Sequence, residues 1–183
     1  MQAAARIRIR DATVVDAAAL ARVEVESWQA SYAEILPSRW LAAMRVPHVH
    51  ARWAHRLGLG ARRDRFVLAA THDDVVVGFA SCTLGGAVAS LDMLYVLPSF
   101  HGVGLGSALL VEVATRATRS RRSALWLDVL AKNERARRFY RRRGAIDVDR
   151  RWVFYDTTPV VIVSAGWRLP EALDRITAGR GSR

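Results

Sequence analysis

The segment Leu94-Tyr95-Val96-Leu97-Pro98-Ser99-Phe100-His101-Gly102-Val103-Gly104-Leu105-Gly106 decides how the rest of the chain is read. Its first residues continue a β-prone run that starts at Ser90 and stops at Pro98. After Gly106 the period changes. Leu109, Leu110, Val113 and Ala117 recur at helical spacing within Ser107 to Arg119. The segment is therefore a strand-to-helix joint. Its three alternating glycines remove side chains where backbone amides must approach a ligand. The free N–H groups of the following first turn point at the same place, where the helix dipole is positive. A diphosphate is the natural guest; a tight connection without a ligand is the other reading of the glycines alone. The spacing is not that of a Rossmann fingerprint, no early βαβ unit precedes it, and the lysine–serine pair of a P-loop is missing.

Upstream, Ile7 and Ile9 alternate with arginines as a short strand. Asp16 is placed to cap a helix from Ala17 to about Trp28, with Leu20, Val23 and Ser27 on one face. Further helices are expected over 38–44 and 48–57. Phe66 to Thr71 and Val75 to Leu84 read as a hairpin about His72-Asp73-Asp74. Downstream, the pattern predicts a strand over 124–130, a helix over 133–143 ended by Gly144, and strands over 146–155 and 160–167 around Thr157-Thr158-Pro159. The order is roughly β-α-α-β-β-β-α-β-α-β-β, a mixed α/β domain with an antiparallel start. Residues 1–169 form the domain; 170–183 read as a polar tail, with Gly179 to Arg183 disordered.

The chain has 183 residues, enough for one domain with its own core. It is 51% hydrophobic and 25% charged, which excludes global disorder. One cysteine, Cys82, excludes an internal disulfide; mid-strand, it reads as a small core residue in a reducing compartment. His48, His50 and His55 have no acid or cysteine nearby to complete a metal site, so no metal is expected. Apolar runs are strand-sized, and no stretch of signal-peptide length follows the N-terminus, so the reading is soluble, cytoplasmic and without a membrane partner. Net charge is +11, and 27 of the 28 basic residues are arginine. Nucleic acid, a phosphate-bearing ligand and a solvated surface all compete for that charge.

Twenty-seven residues beyond Gly106 comes Asn133-Glu134-Arg135-Ala136-Arg137-Arg138-Phe139-Tyr140, then Arg143-Gly144. Helical steps put Asn133, Ala136 and Tyr140 on nearly one face. His101 to Gly106 resembles the (Gln/Arg)-x-x-Gly-x-(Gly/Ala) signature of the GCN5-related N-acetyltransferases. The later block resembles that family's Asn-x-x-Ala-x-x-Phe-Tyr-x-x-x-Gly-Phe, with Gly144-Ala145 for Gly-Phe, and is similar to the ribosomal-protein N-terminal alanine acetyltransferase branch. The likeness covers about Ile7 to Trp167 and is strongest from Leu91 to Gly144. It implies a mixed, mostly antiparallel central sheet with a splayed strand pair and helices on both faces. It implies acetyl-coenzyme A as cosubstrate, with diphosphate on His101, Gly102, Val103, Gly104, Leu105, Gly106 and Ser107. The pantetheine arm would lie on the main chain of Leu94, Tyr95 and Val96 and on Asn133, Ala136 and Tyr140. His101 departs from the usual Gln/Arg; an imidazole there predicts weaker coenzyme binding as pH rises.

Amide formation needs a neutral amine, a donor for the oxyanion and an acid for the thiolate. The resemblance gives the acid role to Tyr140; packing against the pantetheine arm is its alternative. Two carboxylates compete as base: Asp128, five residues before Asn133 and the one favoured here, and Asp92, in the strand before the loop. Glu34 is the reserve. The segment from Ser27 to Pro37 would wall the acceptor pocket, with Trp28, Tyr32 and Glu34 facing substrate; Trp28 and Tyr32, one helical step apart, also fit a core staple. The acceptor is a primary amine on a protein N-terminus, a lysine or a small molecule, and a homodimer is left open. Two other functions compete: a basic nucleic-acid-binding module, for which no stacking module or recognition helix is evident, and a catalytically silent acyl-CoA-binding domain.

Overall fold

The computed structural model describes residues 7–60, 62–155 and 157–178. Seven strands form one sheet: β1 (Ile7–Asp11), β2 (Arg65–His72), β3 (Val75–Thr83), β4 (Val88–Val96), β5 (Ala124–Leu130), β6 (Ile146–Tyr155) and β7 (Thr158–Arg168). Their order is β1-β2-β3-β4-β5-β7-β6. All neighbours are antiparallel except β4 and β5. The helices are α1 (Ala17–Tyr32), α2 (Ser38–Ala43), α3 (Val46–Gly58), α4 (Leu105–Arg119), α5 (Glu134–Arg141) and α6 (Leu173–Ala178).

The central strands are apolar on both faces because helices cover both. Val67, Leu68, Ala69 and Ala70 are all buried, and so are Val76, Val77, Phe79, Ala80 and Cys82. Against one face lie α1 and α3, where the Trp53 ring meets Phe79 edge-on at 5.1 Å. Against the other lies α4, whose Leu109, Leu110, Val113, Ala114 and Ala117 are buried in helical register. Each leucine of that stripe contributes roughly 1.5–3 kcal/mol by leaving water. The β2–β3 hairpin turns on Asp73 and Asp74, both left-handed at φ +48° and +66°. Aspartate tolerates that region because its short side chain bonds the local backbone.

Three expectations change. α1 runs on to Tyr32. Asp16 does not cap it: its buried carboxylate accepts from Thr13 N–H at 2.8 Å and from Arg10 at 2.7 and 2.8 Å, closing the turn before the helix. The three helices expected between β1 and β2 are all present, one more than the coarse element order counts. The segment read as a polar tail carries Ala172 and Ile176 into the core and forms α6 against α4. Two apolar residues at helical spacing were too short a pattern to register. The stretch 179–183, expected to be disordered, lies outside the described residues.

Candidate active site

β4 and β5 pair over only three rungs, Val88–Ser90 with Ala124–Trp126. Beyond Ser90 and Trp126 the strands part. A cavity of about 610 Å³ opens between them, walled by β4, β5, the glycine loop, α5 and the end of α1. Main-chain groups on the two facing edges are left without a sheet partner, so a ligand or water must satisfy them.

At one end the cavity is built from backbone. Gly102 and Gly104 have φ of +84° and +89°, a region open to glycine and strained for other residues. Gly104 precedes α4, and the first helical bond runs from Ala108 N–H to Gly104 O at 3.0 Å. The amides of Leu105, Gly106 and Ser107 therefore remain for a guest. Arg143 reaches this end, donating to Ser107 Oγ and to Phe139 O (3.0 Å), its guanidinium 3.9 Å above the Phe139 ring. Arg135 also lines the cavity. Glycine amides, a helix N-terminus and two guanidiniums form a donor set suited to phosphates.

His101 lines the same end, but its Nε2 lies 2.8 Å from Val96 O, where it must donate. Burial lowers its pKa, and the charge of Arg135 lowers it further. The imidazole is neutral at pH 7, so the pH sensitivity expected of coenzyme binding moves below the ordinary imidazole range. Ser27 Oγ also reaches Val96 O, at 3.4 Å. Leu94, Tyr95 and Val96 all line the cavity as expected, with the Val96 carbonyl already in use.

Asn133, Ala136 and Tyr140 come together on the cavity wall. Asn133 Oδ1 accepts from Ala136 N–H at 3.1 Å, capping α5. Tyr140 is held edge-on between Phe139 and Trp167, at 5.2 and 6.1 Å. Burial raises its pKa far above the free phenol's, and the neighbouring Tyr32 adds to this. It is a protonated donor at any working pH.

At the other end the cavity carries carboxylates. Asp92 and Asp128 each stand two residues past the last paired rung of their strand and line the opening. Asp92 is an extra residue at the register shift between β3 and β4. Its Oδ2 accepts from Thr83 Oγ1 at 2.8 Å, and Arg56 lies 3.8 Å away. Asp128 is held more firmly. Ser164 Oγ donates to its Oδ1 at 2.6 Å, and Arg151 grips both oxygens while donating to Ser164 at 2.7 Å. Partial burial would raise the Asp128 pKa, but the Arg151 and Ser164 bonds outweigh it and hold the carboxyl below its ordinary value.

Tyr32 lines the cavity, and its hydroxyl interacts with Tyr95 and Asn133. Trp28 stands behind it, 4.9 Å away edge-on, and donates Nε1–H to Tyr95 OH at 2.9 Å. Trp28 is thus the core staple of the pair, and Glu34 is an exposed residue outside the cavity wall. Glu24 is buried instead, paired with Arg52 (2.5 Å) and Trp53 Nε1 (2.7 Å). The Cys82 thiol is buried and pushed up to about 12 by burial and then by the Asp92 charge, which suits a core thiol. Arg135, Arg143, Ser164 and Arg151 were missed as site residues. Arg135 lies inside the second motif and Arg143 just after it, and both were legible as its cations; Ser164 and Arg151 join only through the β5–β7–β6 pairing.

The sequence profile of the acetyltransferase (GNAT) family matches residues 24–145, most of this cavity's wall. The chain belongs to the GNAT family. Uncharacterized N-acetyltransferases of Mycobacterium bovis and Mycobacterium tuberculosis are 40% identical over 81 residues. That match spans 44% of this chain and 52% of those proteins, so it covers about half the length of the curated relatives. The GNAT fold recurs in solved structures. A PaiA N-acetyltransferase from Thermoplasma acidophilum in complex with coenzyme A superposes with TM-score 0.74 at 22% identity, covering 86% of this chain and 98% of that one. A GCN5-related N-acetyltransferase from Rhodopseudomonas palustris gives TM-score 0.71 at 26% identity, covering 88% and 95%. A ribosomal-protein-alanine N-acetyltransferase from Brucella melitensis gives 0.68 at 21%, covering 88% and 99%. Among the described residues no helix is long and apolar enough to cross a membrane.

Proposed function

We propose that the protein transfers acetyl from acetyl-CoA to a primary amine by direct attack, with no covalent enzyme intermediate. The observation that carries this reading is the polarity of one cavity. Free amides and guanidiniums stand at one end, two carboxylates at the other, and unpaired strand edges between them. A phosphate-bearing thioester and an ammonium are complementary to those two ends.

The amides of Leu105, Gly106 and Ser107, with Arg135 and Arg143, hold the diphosphate. The free edge of β4 holds the pantetheine arm and supplies an N–H to the oxyanion. Asp128, clamped and strongly ionised, holds the acceptor ammonium. Asp92, held by one neutral donor and a more distant cation, is the less tightly clamped carboxylate and takes the proton, directly or through water. Tyr140 gives its proton to the departing sulfur and regains one from solvent. The C–N bond of the amide forms as the thioester C–S bond breaks; the nitrogen gives up two protons, one before attack and one after it, of which one is matched by the S–H of the thiol and one is released to solvent.

The test is free-thiol release from acetyl-CoA with a panel of primary amines and peptide N-termini. Turnover with any of them supports transfer. No turnover, together with a melting temperature raised by acetyl-CoA through linkage, would make this a silent acyl-CoA-binding domain.

A further inference from the structure

A second cavity, of about 620 Å³, lies beside the carboxylate end of the first. Its floor is apolar: Val88 of β4, Trp126 of β5, and Ile146 and Val148 of β6. All four are exposed, Ile146 by 64% and Trp126 by 41%. Exposed apolar residues scattered singly need no explanation, but four that floor one cavity do.

Its position in the sheet relates it to the active site. Trp126 pairs with Gly166, and Gly166 with Ile146, so these three share one face. Asp128 pairs with Ser164 and lies two residues along from Trp126, on that same face. Two residues of strand span about 6.6 Å. The apolar floor thus begins one strand repeat from the carboxylates that flank the splay.

Gly166 keeps this floor open. A Cβ there would come 2.5 Å from Leu125 O and 3.3 Å from the Trp126 ring. Any side chain would clash with the neighbouring backbone and cover the indole. At the other edge, the register shift between Asp147 and Asp149 leaves Val148 as an extra residue, and it lines this cavity.

We propose that this shelf is the outer half of the acceptor site, and that the acceptor is a small amine whose ammonium is joined by a two- or three-atom linker to an aromatic or branched apolar body. The body lies on Trp126, Val88, Ile146 and Val148 while the nitrogen lies between Asp92 and Asp128. This rests on the transferase reading above and narrows its acceptor. Continuity between shelf and carboxylates along β5 is the argument for this occupant over a second copy of the chain.

The test compares phenethylamine with ethanolamine, which share a two-carbon linker, by thiol release from acetyl-CoA. Burial of one aromatic ring predicts a kcat/KM ratio of about ten- to hundredfold in favour of phenethylamine. Trp126→Ala should bring that ratio toward one, while acetyl-CoA still raises the melting temperature. Ile146→Asp, on the exposed edge strand, should do the same without disturbing the core, and stands in if Trp126→Ala folds poorly. Equal kcat/KM for the two amines in the wild type overturns the shelf. So does a dimer in light scattering that Trp126→Ala or Ile146→Asp turns into a monomer with the amine ratio intact, because a second copy then covers it. If acetyl-CoA does not bind the wild type, the transferase reading fails and the shelf falls with it; if it binds and the ratio is one, the shelf alone fails.

Discussion

The two ends of the cavity are built from different materials. The phosphate end is mostly backbone: two left-handed glycines, three amides of α4 and the free edge of β4, with the Arg135 and Arg143 side chains beside them. Most of it comes from one continuous segment, residues 94–107. The acceptor end is side chain, assembled from residues 32, 92, 128, 151 and 164, far apart in sequence. A backbone site tolerates changes of side chain but not of conformation. A side-chain site can be rebuilt for a new substrate by one substitution.

That difference yields predictions that try to break it. The largest effect is expected at Asp92. Asp92→Asn removes the proton acceptor and should lower kcat by about 10²–10⁴-fold at pH 7, with coenzyme affinity retained; a pH–rate profile that loses its basic-group limb would confirm the role, and unchanged kcat would move it elsewhere. Tyr140→Phe should lower kcat by about 10²-fold, again at nearly constant coenzyme affinity, because only the hydroxyl is lost and the ring packing remains. A larger loss of affinity than of turnover would make Tyr140 a packing residue.

Arg151→Gln should act through Asp128. The Asp128 pKa is lowered in the fold, so its pairing stabilises the protein above the ordinary carboxylate range and is lost as pH falls through the lowered value. Without Arg151 that stabilisation shrinks, and acid unfolding should begin at a higher pH, seen by circular dichroism. The KM for amine should rise while the acetyl-CoA dissociation constant stays fixed. An unchanged acid transition would mean the Arg151 contact contributes nothing, as exposed ion pairs often do.

The same contrast explains how much was legible. The phosphate end could be read from residues 101–107 because glycine spacing and a period change report backbone conformation directly. The strands and the hairpin at Asp73-Asp74 were readable for the same reason. At the acceptor end, Asp92 and Asp128 were legible as candidates, but their difference was not: the Arg151–Ser164 clamp arises from the register of β6 on β7 and of β7 on β5. Trp28 and Tyr32 have the same spacing as any staple, and only the fold puts Tyr32 on the cavity and Trp28 behind it. α6 was missed because Ala172 and Ile176, one helical step apart, are too short a pattern; their burial shows only once α6 packs on α4.

The central claim is that one cavity binds coenzyme through backbone at the glycine loop. Isothermal titration of acetyl-CoA into the wild type and into Gly104→Val tests it most directly. Valine at φ +89° strains the turn by roughly 1–2 kcal/mol and displaces the free amides. The account predicts one site per chain in the wild type and an affinity at least about tenfold weaker in the variant, the equivalent of 1.4 kcal/mol or more. No heat with the wild type, or equal affinity in both proteins, would contradict it.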